Sequence, residues 1–156
     1  MGARLASAFL AAALGLAACA PAPVPETQPA PTALPHVAGE TPEMDALIAK
    51  AARAYGVPVS LVHRVVRRES SYNPRARNGP YYGLMQLLPQ TARTMGYSGP
   101  ARGLLDPAVN LTYGVKYLRG AWLVANKNQD RAIMWYSRGY YYEARRRGML
   151  EVTGLK

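Results

Sequence analysis

The sequence predicts an all-α protein: a single helical domain preceded by an export signal and a disordered, proline-rich linker. Three observations carry that prediction. From Met44 onward apolar residues recur at three- and four-residue spacing. No stretch of the same region alternates apolar and polar residues as a half-buried strand would. Seven of the thirteen prolines crowd between Ala20 and Pro42. A chain of 156 residues has room for one compact domain at about 100–200 residues each. The expected boundaries are 1–18 for the signal, 19–43 for the linker and 44–156 for the domain.

The first segment pairs Arg4 with an almost wholly apolar stretch from Leu5 to Ala18, the layout of an export signal. It falls short of the roughly 18–20 apolar residues of a spanning helix. It ends in Leu16-Ala17-Ala18-Cys19, and Cys19 is the chain's single cysteine, so no intrachain disulfide and no cysteine-based metal cage can form. This ending resembles the lipobox of bacterial lipoproteins. The resemblance implies that Cys19 receives a diacylglycerol on sulfur, becomes the mature N-terminus and anchors the protein to a membrane. Ala20, where aspartate would retain a lipoprotein at the inner membrane, implies a periplasm-facing anchor in the outer membrane. The prolines that follow favour extended polyproline II at about 3.1 Å per residue, a stalk of up to roughly 70 Å. His36 lies there without a companion ligand.

Met44, Leu47, Ile48, Ala51, Ala52 and Tyr55 trace the first helix, which Gly56-Val57-Pro58 stops. A second runs from about Ser60 to Ser71 and ends before Asn73-Pro74; Gly79-Pro80 then opens a loop. Pro89 suits the first turn of a short helix ending near Gly96. Asp106-Pro107 starts another, with Asp capping free amides and Pro in the first turn. Leu111, Val115, Leu118, Trp122 and Ala125 form its apolar stripe. Two further helical pieces are expected around 130–137 and 141–147.

One carboxylate interrupts this pattern. In the second helix Val62, Val65, Val66 and Glu69 stand at i, i+3, i+4 and i+7, which puts Glu69 within the valine stripe; His63, Arg64, Arg67 and Arg68 take the other faces. A carboxylate there either reaches solvent or pairs with a nearby arginine, or it is a partly desolvated acid with a raised pKa, able to deliver a proton at neutral pH. The unfavourable C-terminal end of the helix dipole acts in the second sense. Periodicity leaves both readings open.

The surrounding words carry a resemblance. Glu69-Ser70-Ser71-Tyr72-Asn73-Pro74, Gly83-Leu84-Met85-Gln86 and Asp106-Pro107-Ala108-Val109-Asn110-Leu111, in that order and spacing, resemble the SLT-type lytic transglycosylases over about 45–139. The resemblance implies a goose-lysozyme-like helical fold. It also implies cleavage of the MurNAc–GlcNAc β-1,4 bond of peptidoglycan with a 1,6-anhydro end, no cofactor and no metal. Glu69 would be the catalytic residue, first general acid and then base. A usual glycosidase flanks the bond with two carboxyls. The other acids of this region are Asp45, Asp106, Asp130, Glu143 and Glu151, and none adjoins a motif that would aim it at a sugar.

By the same resemblance, Ser70 orients the sugar or the acid, Gln86 and Met85 line the saccharide cleft with an amide and a thioether, and Gly83 gives close backbone approach or a turn. Leu84 and Leu87 read as core, and Asn110 and Gly114 as structural. The third family motif, Ala-Tyr-Asn-Ala-Gly, is replaced by Trp135-Tyr136-Ser137-Arg138-Gly139. Tyr136 and Gly139 match, and Ser137 lacks the amide. Tyr136, Ser137 and Tyr140 are therefore the remaining expected substrate contacts, with the run Tyr140-Tyr141-Tyr142 standing in for a further cleft tyrosine.

Charge is consistent with such a substrate. The formal net charge is +10 at pH 7, which excludes an acidic solvating protein and points to an anionic partner. Export makes nucleic acid remote, whereas peptidoglycan stems carry carboxylates. The expected partners are glycan strands, a membrane through the N-terminal anchor, and an envelope or secretion machine of unspecified identity. The rival from another class is an inactive peptidoglycan-binding envelope lipoprotein, which would retain sacculi and release no product. A true muramidase would leave reducing ends instead.

Overall fold

The computed structural model describes residues 39–155; the export signal, Cys19 and most of the linker lie outside the described residues. Helix α1, Pro42–Tyr55, begins two residues before the apolar periodicity predicts. Thr41 caps it, accepting from the Met44 amide at 3.2 Å, and Pro42 occupies the first turn, where its missing N–H has no helical partner to lose. That proline reads as linker by composition and is instead the start of the helix. Gly56 closes α1 in the left-handed conformation, φ +62°.

Helix α2, Val59–Ser70, lays Leu61, Val62, Val65 and Val66 into the core, all fully buried, against Ile48 and Ala52 of α1. The domain is organised around α4, Pro107–Val124. Asp106 caps it as expected, accepting from the Val109 amide at 2.9 Å, and Leu111, Val115, Leu118, Ala121 and Val124 bury its length. The other helices pack around it: α1, α3 (Pro89–Thr94), α5 (Gln129–Arg138) and α7 (Leu150–Thr153), with a 3-10 segment at Ala101–Leu105. Burying each of the leucine and valine side chains stabilises the fold by about 1.5–3 kcal/mol. Helix α6, Tyr141–Arg146, follows α5 after a two-residue break.

The all-α prediction holds, with one small addition. Strands β1, Arg77–Asn78, and β2, Tyr81–Tyr82, form an antiparallel hairpin closed by Gly79-Pro80, with Gly79 at φ +56°. Two residues per strand are too few to show an alternating pattern, so the loop expected there is a hairpin. The 3-10 segment and α7 were not expected either. No helix among the described residues is long and apolar enough to cross a membrane.

Candidate active site

Glu69 sits in the last turn of α2, and the valines that precede it on its face hold that face to the core. The following Ser71 and Tyr72 both have positive φ, +48° and +63°, so the chain turns sharply off the helix end. The Glu69 side chain is 22% exposed, and its ion contact is Arg68 Nε at 3.7 Å, beyond hydrogen-bonding length. Burial raises its pKa above the ordinary carboxylate value of 4.5, and the charge of Arg68 only partly opposes that shift. Of the two readings left open by periodicity, the desolvated acid fits this geometry, and a tight guanidinium lock does not.

The wall opposite is the Gly83–Gln86 loop, and a buried asparagine on α4 sets it. Asn110 Oδ1 accepts from the Met85 amide at 2.9 Å, while Nδ2 donates to Tyr82 O at 2.8 Å and Leu104 O at 2.7 Å. Gly83 is at φ +70°, and a Cβ there would lie 2.5 Å from both Asn110 Nδ2 and Leu104 O. Its close approach is therefore to protein, and Gly83 does not line the cleft. Gln86, a non-glycine residue at φ +45°, has its amide nitrogen donating to Ala76 O and Gly83 O at 3.2 and 3.0 Å. Such a backbone conformation persists only where neighbours fix it.

Helix α5 supplies the third side. Tyr136 is 8% exposed, its hydroxyl donates to Met85 O at 2.7 Å, and its ring packs edge-on against Tyr117 at 5.4 Å. Burial, with the charge of Glu69 second, holds its phenol well above the usual value; the ring is a neutral donor. Ser137 stands one residue on, exposed, with its hydroxyl donating back to Ile133 O at 3.1 Å.

Glu69, Gln86, Tyr136 and Ser137 thus converge with Arg68, Asn78 and Tyr81 on a cleft of about 360 Å³. A neighbouring stretch of about 320 Å³ shares Tyr81, Gln86, Tyr136 and Ser137 with it and runs on to Arg138 and Gly139. Among the described residues, Glu69 is the one acid lining either part. Asp106 caps α4, Asp130 pairs with Arg64 at 2.5 Å, and Glu143 is held by Arg146.

Three further expected contacts are displaced from the cleft. Met85 is fully buried, and its sulfur packs where a Cβ on Gly114 would lie, at 2.5 Å, so the thioether faces α4 and not a sugar. Tyr140 is 1% exposed; its ring fills the space over Gly120 and its hydroxyl donates to Tyr117 O at 2.8 Å. Ser70 donates to Leu84 O at 2.8 Å and Val66 O at 3.1 Å. It ties the acid-bearing helix end to the opposite wall. Conversely, Asn78, Tyr81 and Arg68 line the cleft without having been singled out by the sequence. The hairpin brings the first two there, where the sequence predicts only a loop.

His63, also unassigned, meets Glu40 and Asp45 with ligand-type atoms within 4.8 Å of one another. This cluster has other occupants. Tyr72 donates to Glu40 Oε1 at 3.1 Å and lies 3.0 Å from His63 Nδ1, and Arg67 lies 3.6 Å from Glu40. A guanidinium already opposite the carboxylate makes this a polar clasp between the start of α1 and the middle of α2, not a cation site.

Comparison with known proteins gives the domain a family. The family model for the transglycosylase SLT domain matches residues 46–147. Membrane-bound lytic murein transglycosylase C of Haemophilus influenzae strain PittGG is 39% identical over 92 residues, which cover 54% of this chain and 25% of that protein. The proteins of that name from Mannheimia succiniciproducens and Actinobacillus succinogenes are each 39% identical, over 89 and 88 residues, covering 52% and 51% of this chain and 24% of each relative. The match spans about a quarter of those relatives' length. With the motif order, the helical frame and a family match over most of the domain, this chain belongs to the transglycosylase SLT domain family.

Proposed function

We propose that the protein is a peptidoglycan lytic transglycosylase that cleaves the MurNAc–GlcNAc β-1,4 bond and leaves a 1,6-anhydro end. The observation that carries this reading is the single, partly desolvated carboxyl of Glu69 in a cleft that no second acid lines among the described residues. Hydrolysis by the usual route needs a second carboxylate to activate water or attack the anomeric carbon. With one, the nucleophile has to come from the substrate.

Glu69, whose burial favours its protonated form, gives its proton to the glycosidic oxygen as the C1–O bond breaks. The muramic acetamido oxygen shelters the cationic C1. The C6 hydroxyl then closes on C1, its proton passing to Glu69, which returns to its starting state. Gln86 has its amide hydrogens engaged by Ala76 and Gly83, which leaves Oε1 to accept from the sugar's N–H or hydroxyls. Ser137 and Asn78 offer further polar contacts, and Tyr136 fixes the wall on which they stand. Ser70, Met85, Gly83 and Tyr140 support that wall from behind.

We further propose that residues 1–18 direct export, that Cys19 carries the lipid, and that the segment to about residue 41 is the linker to an outer-membrane anchor. The relatives' name, which describes them as membrane-bound, supports an envelope location. Purified protein digesting isolated sacculi is expected to release anhydro-muropeptides, and Glu69→Gln to release none at matched folding. Equal release by Glu69→Gln would refute the assignment. Sacculus binding by wild type without any product would establish the inactive binder instead.

A further inference from the structure

Beyond the Glu69 cleft, α5 and α6 enclose an open groove of about 530 Å³ lined by Trp135, Arg138, Tyr141, Tyr142, Glu143 and Arg146. Arg138 and Gly139 belong both to this groove and to the stretch beside Glu69, so a chain-like ligand can run from one to the other without leaving the surface.

The aromatics here are exposed where burial would be favourable. Five large hydrophobic residues are exposed among the described residues, and three are Tyr81, Tyr141 and Tyr142, at 40, 44 and 82%. All three line this continuous surface. Clustered exposed apolar faces mark binding surfaces, whereas scattered ones do not. The Tyr141 and Tyr142 rings stand at 83° with centroids 5.4 Å apart, an L-shaped corner offering flat faces in two directions. A phenol or indole face packs the C–H face of a pyranose and orders few torsions in doing so.

The charges of the groove are unequal. Glu143 engages Arg146 twice, at 2.7 and 2.9 Å, which neutralises that pair. Arg138 has no ion pair among the described residues, and it stands where the groove meets the Glu69 side. A carboxylate is the ligand group that complements it.

We propose that this groove is an outlying subsite for the same glycan strand, with sugar rings on Trp135, Tyr141 and Tyr142 and a stem-peptide carboxylate on Arg138. The proposal rests on the peptidoglycan reading above. It adds that the protein favours long, peptide-bearing strands over short or peptide-free ones.

The test uses the full chain carrying Glu69→Gln, so that binding is read without turnover. Affinity is measured by co-sedimentation with intact sacculi and with glycan strands stripped of peptide by an amidase. Tyr142 is nearly free in solvent, so Tyr142→Ala leaves the fold intact, as circular dichroism checks. Added to the parent, Tyr142→Ala is expected to weaken binding to both strands about tenfold, the scale of one lost aromatic face. Arg138→Gln is expected to weaken binding to peptide-bearing strands alone, by about fivefold at low salt. Parent affinity in the Tyr142→Ala protein overturns the aromatic subsite, and equal binding of both strands by parent and Arg138→Gln overturns the carboxylate contact. Both results are independent of product formation, so a wild type that releases no anhydro ends refutes the catalytic reading and leaves this groove to be judged by binding.

Discussion

Asn110 offers a sharp perturbation because its amide is wholly buried and all its side-chain hydrogen bonds go to backbone. It holds three separate segments at once: the Met85 amide, the Tyr82 carbonyl and the Leu104 carbonyl, at 2.7–2.9 Å. Asn110→Ala removes three hydrogen bonds worth about 1 kcal/mol each and leaves backbone groups short of a partner, for a loss of roughly 3–4 kcal/mol. That is a large part of the about 5–15 kcal/mol that keeps a domain folded. At roughly 4 °C per kcal/mol for a domain of this size, the melting temperature should fall by about 12–16 °C. Asn110→Asp separates hydrogen bonding from packing. It keeps shape, volume and the acceptor for Met85, and turns both donors into acceptors facing carbonyls. Burying that charge should make it as damaging as Ala or worse. Urea or thermal unfolding of the two variants provides the assay. If Asp is tolerated to within about 1 kcal/mol of wild type, the loop is not held by these bonds and the account of the cleft wall is wrong.

Other expectations follow from the cleft chemistry. Glu69 binds its proton more tightly folded than unfolded, because burial raises its pKa. Its ionisation therefore destabilises the native state as pH climbs from the ordinary carboxylate value of 4.5 through the raised one. Glu69→Gln should unfold at higher temperature than wild type at pH 7, and the difference should vanish in acid below that window; a less stable variant at pH 7 contradicts the desolvated acid. With Glu69 as the proposed general acid, wild-type turnover should decline as pH rises through the same raised pKa. Tyr136→Phe leaves Met85 O without its donor and should lose about 1–2 kcal/mol in urea unfolding. Its turnover should also fall, since the Gln86 loop loses its brace; unchanged turnover would mean that the loop is held by Asn110 alone.

Local rules made much of the frame legible. Asp106-Pro107 names a helix start by backbone chemistry alone, and the valine stripe of α2 shows the side on which Glu69 lies. The misreadings share a cause: a motif gives a residue's neighbourhood, not its direction. Met85 adjoins Gln86 in the loop, yet alternate side chains point apart, and Gly114 on α4 provides the space its sulfur takes. Tyr140 heads an aromatic run, but the gap above Gly120 draws it inward and leaves Tyr141 and Tyr142 on the surface. Gly83 and Asn110 lie 27 positions apart in sequence, and only the fold shows that one exists to admit the other. The hairpin carrying Asn78 and Tyr81 to the cleft is too short for any periodicity to reveal.

The central claim, that the substrate's own hydroxyl replaces a second carboxylate, is tested most directly by digesting sacculi in water enriched in oxygen-18 and weighing the released muropeptides. The account predicts anhydro ends that carry no heavy oxygen and lie one water below the reducing products. Reducing ends labelled at C1 would show that water attacks the bond, and would contradict it.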